Sequence, residues 1–105
     1  MFRQLFISLT VVISLPALSS EFGDPEQGKI KSPSCVYCHG SNGVSSNSSY
    51  PNLAGQDPLY LFNTMKGYQR GERQGAFAEM MKSQLRQLND QDLKDIAAFY
   101  SNQSN

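Results

Sequence analysis

The chain has 105 residues, sets nine lysines and arginines against nine aspartates and glutamates, and carries only two cysteines and one histidine. A length of this order makes one small domain with a modest apolar core, and such domains often draw on a metal, a disulfide or a cofactor for stability. The even charge balance excludes the basic stripe of a nucleic-acid-binding surface, and the single histidine excludes any site that needs two imidazoles from one chain.

Residues 1–19 read as a secretory signal peptide. Arg3 supplies a positive start, Leu5 to Leu15 is apolar apart from Ser8, Thr10 and Ser14, and Pro16 closes the run. Ala17-Leu18-Ser19 then offers small residues where a signal peptidase reads, so cleavage is expected after Ser19. The apolar run is too short to span a bilayer, and no cysteine lies near the cut to take a lipid. No membrane anchor is therefore expected after cleavage. Removing 19 of the 105 residues leaves 86, a single domain over 20–105 with eight basic and nine acidic side chains.

Gly23 to Lys31 is the first expected helix, with Asp24 as N-cap, Pro25 in the first helical position, and Glu26 and Gln27 suited to the first turn. Gly28 either weakens this helix or lets another one approach closely. Pro33 should stop it, because the residue before a proline is pushed out of the helical region.

Cys35-Val36-Tyr37-Cys38-His39 holds both cysteines and the histidine within five positions. C-x-x-C-H is the haem c attachment signature. Two thiols three positions apart share one side of a helical turn, where each can form a thioether with a haem vinyl group. The next residue then carries its imidazole under the macrocycle as an iron ligand. Three other readings compete. A zinc site wants three or four protein ligands, and the Cys and His supply stops at three crowded ones. A thioredoxin-like motif needs a strand-helix-strand setting, and no strand pattern flanks this one. A Cys35–Cys38 disulfide closes too small a loop to staple a domain. The haem reading is the one adopted.

Gly40 to Ser49 is a polar loop, long enough to wrap a cofactor edge, and Ser45 to Ser49 is expected to be a flexible surface excursion. Tyr50-Pro51-Asn52-Leu53-Ala54-Gly55-Gln56 follows. With the haem motif before it, this segment resembles the class I cytochromes c, above all the small bacterial periplasmic group of dihaem cytochromes and their single-haem relatives. The resemblance implies an all-α class I cytochrome c fold of short helices packed around one covalently attached haem. It also implies that the Pro51 carbonyl accepts the His39 Nδ1–H hydrogen bond and that Leu53, in the Pro-x-Leu segment, belongs to the haem site.

Asp57-Pro58 repeats the cap-and-proline pair and opens a helix to about Tyr68, with Leu61, Met65 and Tyr68 on one face and Phe62 beside it. Tyr60 either reaches the haem edge or a propionate, or simply packs. Arg70 and Arg73, among Gly67, Gly71 and Gly75, either neutralise propionates, face a partner or stand solvated.

One histidine rules out a second imidazole at the iron, so methionine is the natural sixth ligand for electron transfer. Met65 suits core packing, which leaves Met80 and Met81. In the resembled family the ligand methionine precedes by seven residues the leucine of a Leu-Ser-Asp-x-Asp segment. That segment here is Leu88-Asn89-Asp90-Gln91-Asp92, which implies Met81, with Met80 packing beside it. The last helix, about Asp90 to Asn102, is capped by Asn89. It carries Leu93, Ile96, Ala97 and Tyr100 on one face with Phe99 at its flank, and the resemblance implies that this face crosses the first helix near Gly28.

The function so implied is that of a soluble periplasmic single-haem electron carrier, not an enzyme. Its haem c would be held by two thioethers and ligated by His39 and Met81. Its partners would be a redox donor and acceptor such as respiratory complexes or periplasmic enzymes. Two rivals stay open: a haem ligand-binding or sensor protein with a weak sixth site, and a haem-free exported module with a Cys35–Cys38 disulfide.

Overall fold

The computed structural model describes residues 2–14 and 22–104. The expected cleavage point after Ser19 lies outside the described residues, and residues 2–14 are exposed and carry no helix or strand. The elements run α1 Pro25–Lys31, α2 Val36–His39, α3 Pro58–Gln69, α4 Ala78–Leu85 and α5 Asp90–Ser101. Among the described residues there is no strand, as the all-α expectation required.

The caps read from sequence form as expected. The Asp24 carboxylate accepts from Glu26 N and Gln27 N, the Asp57 carboxylate from Tyr60 N at 2.9 Å. Asn89 and Asp92 make a full capping box, each side chain accepting from the other's backbone. These contacts satisfy amide groups that a helix start leaves without partners. At its other end α1 stops at Lys31, where the Ser32 hydroxyl turns back to the Gly28 carbonyl. α4 has no counterpart in the sequence expectations. Its N-cap Phe77 offers no side-chain acceptor, so the start signal is missing. Its Ala, Glu, Met, Lys, Gln and Leu residues are nevertheless good helix formers.

The core gathers Leu61 of α3 with Ile96, Ala97, Phe99 and Tyr100 of α5, and Phe22, Leu53, Phe62, Met65 and Leu88 pack on it. α5 is buried beyond its expected stripe, for Ala98 and Asp95 are covered as well. The reason is α1, which crosses α5 where Gly28 has no side chain. A β-carbon there would collide with the Asp95 carbonyl and stand 2.7 Å from Phe99 Cβ. Close approach, the second of the two readings of Gly28, is the one the fold uses.

Asp95, 3% exposed, makes the crossing polar at one point. Its carboxylate accepts from Asp24 N and Gln91 Nε2, each at 2.9 Å, and pairs with Lys31 Nζ at 2.6 Å. Lys31 also reaches Asp92 at 2.9 Å. A buried carboxylate is tolerable only when it is paired and hydrogen-bonded in this way.

The Ser45 to Ser49 stretch runs over the surface, as expected, and is built from short side-chain turns. Ser45 Oγ bonds Asn47 O, Asn47 Oδ1 accepts from Ser49 N, and Asn52 Oδ1 accepts from Ser45 N at 2.7 Å. Ser and Asn carry short polar side chains that reach nearby backbone. Here they supply the acceptors that the loop's own backbone requires.

Candidate functional site

The C-x-x-C-H segment forms one tight turn. Cys35 has helical backbone angles and its carbonyl accepts from Cys38 N at 3.3 Å and His39 N at 2.9 Å, so both thiols and the imidazole hang from a single coil of chain. Cys35 and Cys38 are both free thiols and half-buried. Burial pushes the Cys35 thiol up from its ordinary value.

His39 is buried, and its Nδ1 lies 2.8 Å from the Pro51 carbonyl. A carbonyl can only accept, so Nδ1 carries the proton and Nε2 keeps its lone pair free. The loop reaches this position because the Gly43 carbonyl takes two bonds, from Leu53 N at 2.7 Å and Ala54 N at 3.0 Å, while Gly55 N bonds the Tyr100 carbonyl at 3.1 Å. The chain from 50 to 56 is thus anchored to α5 on one side and lies over His39 on the other.

Cys35, Cys38, His39, Pro51, Leu53, Tyr60 and Met81, the seven residues expected at the site, all line one mainly apolar cavity of about 330 Å³. α3 adds Leu61, Met65 and Tyr68 to the wall, and α5 adds Ile96, Ala97 and Tyr100. Tyr60 stands at the rim, half-exposed, whereas Leu53 is partly buried against the core. A second cavity of about 380 Å³ shares Cys35, Cys38, His39, Met80, Met81 and Leu85 with the first. Met80 is more exposed than Met81, yet both methionines touch both spaces.

Two further wall residues, Tyr100 and Arg73, are polar. Tyr100 is 1% exposed and its hydroxyl has no hydrogen-bond partner among the described residues, though Cys35 and Ser32 stand beside it. Burial drives that phenol far above its ordinary value. Arg73, held over the Tyr68 ring at 4.9 Å, is among the described residues the one lysine or arginine in the wall of the first cavity.

These residues fit a covalently held haem. Two thiols, one imidazole with its outer nitrogen satisfied, an apolar wall, a methionine pair and an orphaned buried hydroxyl converge on one space. The zinc reading finds no support, since among the described residues no group of three or more His, Cys, Asp or Glu could hold a metal ion.

A family model described as cytochrome c matches residues 27–104. The chain is 43% identical over 81 residues to cytochrome c-554(548) of Halomonas halodenitrificans, covering 77% of this chain and 98% of that protein. It is 37% identical over 101 residues to cytochrome c4 of Pseudomonas aeruginosa, covering 96% of this chain but 49% of the relative. The crystal structure of reduced recombinant cytochrome c4 from Pseudomonas stutzeri superposes with a TM-score of 0.64 at 35% identity, over 78% of this chain and 46% of that one. The chain therefore spans nearly all of the first relative and about half of each cytochrome c4. Matched from α1 through α5 and folded as those relatives are, it belongs to the cytochrome c family.

Proposed function

We propose that the chain is an exported electron carrier that holds one haem c through thioethers at Cys35 and Cys38, with His39 and Met81 as the iron ligands. The observation that carries this reading is the His39–Pro51 bond, because it points a lone-pair nitrogen into an apolar cavity from the same turn that presents two thiols. When bound, haem c supplies a one-electron couple whose iron changes oxidation state without exchanging ligands.

The chain's own residues do the rest. The Pro51 carbonyl holds the imidazole in one tautomer and one orientation. Leu53, Leu61, Ile96 and Ala97 keep water from the cavity, which raises the strength of every electrostatic contact inside it. Met81 is preferred to Met80 on the family spacing to Leu88 and on its lesser exposure. Tyr60, at the rim, bounds the cofactor edge. No substrate of the protein's own is turned over.

Residues 1–19 act as the signal peptide and 20–105 as the haem domain, which works in the periplasm between a redox donor and an acceptor such as respiratory complexes or periplasmic enzymes. No helix among the described residues is long and apolar enough to cross a membrane.

Mass spectrometry of the periplasmic protein is expected to give residues 20–105 plus one haem, with no titratable thiol. Ferrous spectra are expected to be unchanged by carbon monoxide. Met81→Ala should abolish the methionine–iron charge-transfer band and lower the reduction potential, and Met80→Ala should do neither. Complete, rapid carbon monoxide binding by the wild type would instead establish the open-site sensor reading.

A further inference from the structure

We propose that Gln69 is the positioning residue that holds the methionine-bearing helix closed over the haem site, and that its loss opens the sixth coordination position to an external diatomic ligand. The inference rests on Met81 as the ligand.

Met80 and Met81 lie in α4, and among the five helices α4 touches only α3. The helix is poorly fastened at both ends. Its N-cap Phe77 gives no side-chain bond, and its last turn is closed by two backbone bonds, a long one from Arg86 N to Ser83 O at 3.5 Å and one from Leu88 N to Leu85 O at 3.1 Å. Gln69, the final residue of α3, ties this end to the rest of the fold: its Nε2 donates to the Leu85 and Leu88 carbonyls, both at 2.9 Å. Among the described residues no other side-chain hydrogen bond or ion pair links residues 76–88 to α1, α3 or α5.

The register makes this clasp matter to the ligand. Leu85 sits one helical turn after Met81, on the same face, and lines both cavities beside it. Leu85 is 2% exposed, so the Gln69 bond to its carbonyl, made beside the one from Leu88 N, lies in a nearly dry setting where a lost hydrogen bond is costly. With both protons of one amide spent on the carbonyl of Leu85, the last residue of α4, and on that of Leu88 just beyond it, the helix cannot pivot away from the cavity without breaking both bonds. Losing two such bonds raises the open population about tenfold or more.

The test uses the haem-loaded protein. In wild type the methionine–iron band should be present and ferrous carbon monoxide binding negligible. Gln69→Leu, which removes the donors and keeps the bulk, should weaken the band and bind carbon monoxide at least tenfold more extensively at equal concentration, with far-ultraviolet dichroism unchanged. Gln69→Lys, which restores a donor, should return both signals toward wild type. Should Gln69→Leu not accumulate, Gln69→Glu keeps the shape, sets a carboxylate against two carbonyls and is read by the same criteria. A variant that melts at lower temperature yet keeps the band and still excludes carbon monoxide overturns the proposal, for Gln69 would then stabilise without positioning. If wild type itself lacks the band and binds carbon monoxide, the Met81 assignment falls and takes this inference with it. That failure is recognised before any substitution at residue 69 is made.

Discussion

Replacing Gly28 with alanine sets two effects of opposite sign against each other. In a helix interior, alanine is favoured over glycine by about 1 kcal/mol. At this position, however, the new methyl group would run into the Asp95 carbonyl, and that atom is helix backbone with no freedom to swing aside. α1 would have to lift off α5, and the bonds flanking the crossing would stretch, Asp24 N to Asp95 at 2.9 Å and Lys31 Nζ to Asp95 at 2.6 Å. Overpacking of this kind costs about 1–3 kcal/mol or more, and each weakened bond adds up to about 1 kcal/mol. The net expectation is a loss of about 2 kcal/mol, which for a domain of this size lowers the melting temperature by about 10 °C.

Gly67→Ala supplies the comparison. A β-carbon there would meet only Arg73 Cγ at 3.1 Å and Cδ at 3.3 Å, the stem of a side chain that can move. Helix propensity should win, giving a variant no less stable than wild type and up to about 1 kcal/mol more so. Thermal melts of the haem-loaded proteins, followed by circular dichroism, separate the two. Gly28→Ala melting at or above wild type, or both variants falling equally, would refute the close-crossing account.

Asn89→Ala should cost about 1 kcal/mol by removing the acceptor of Asp92 N at 2.8 Å, read as a lower denaturant midpoint with unchanged slope. Burial alone would raise the Asp95 carboxyl, but the bonds from Asp24 N, Lys31 and Gln91 outweigh it and hold the group below its ordinary 3.8. Its stabilising contribution is therefore complete above that value and lost as pH falls through the lower folded one. Asp95→Asn should flatten the acid limb of the melting-temperature profile, and an identical profile would count against the pairing. Arg73→Gln removes the one lysine or arginine, among the described residues, from the wall of the cavity that holds all seven expected site residues and should lower the reduction potential, because a nearby cation disfavours the ferric charge. An unchanged potential in a redox titration would show the guanidinium to be fully screened.

What the sequence makes legible is what local chemistry decides. The cap residues Asp24, Asp57 and Asn89 act within three positions of themselves, and Cys35 to His39 encode a turn that needs nothing distant. The α5 stripe and the Gly28 crossing are also readable, since periodicity and a missing side chain both speak of a neighbour. α4 is harder to see because it lacks a start signal and is held by a glutamine in another helix. Asp95 reads as solvent-facing until α1 is laid across it, and the Ser45 to Ser49 turns depend on Asn52, well beyond the stretch itself. In each such case the deciding partner lies outside any local window.

The acceptor beneath His39 belongs to the main chain, and that has a consequence for variation at residue 51. Exchange of the pyrrolidine ring for any other group leaves an oxygen in the peptide unit. Mutation can therefore retune the imidazole only by rerouting the loop, through its ties to Gly43 and Tyr100, and never by deleting the contact outright. The orientation of the imidazole is thus a property of backbone path, protected from single-residue drift at the very place where it is set.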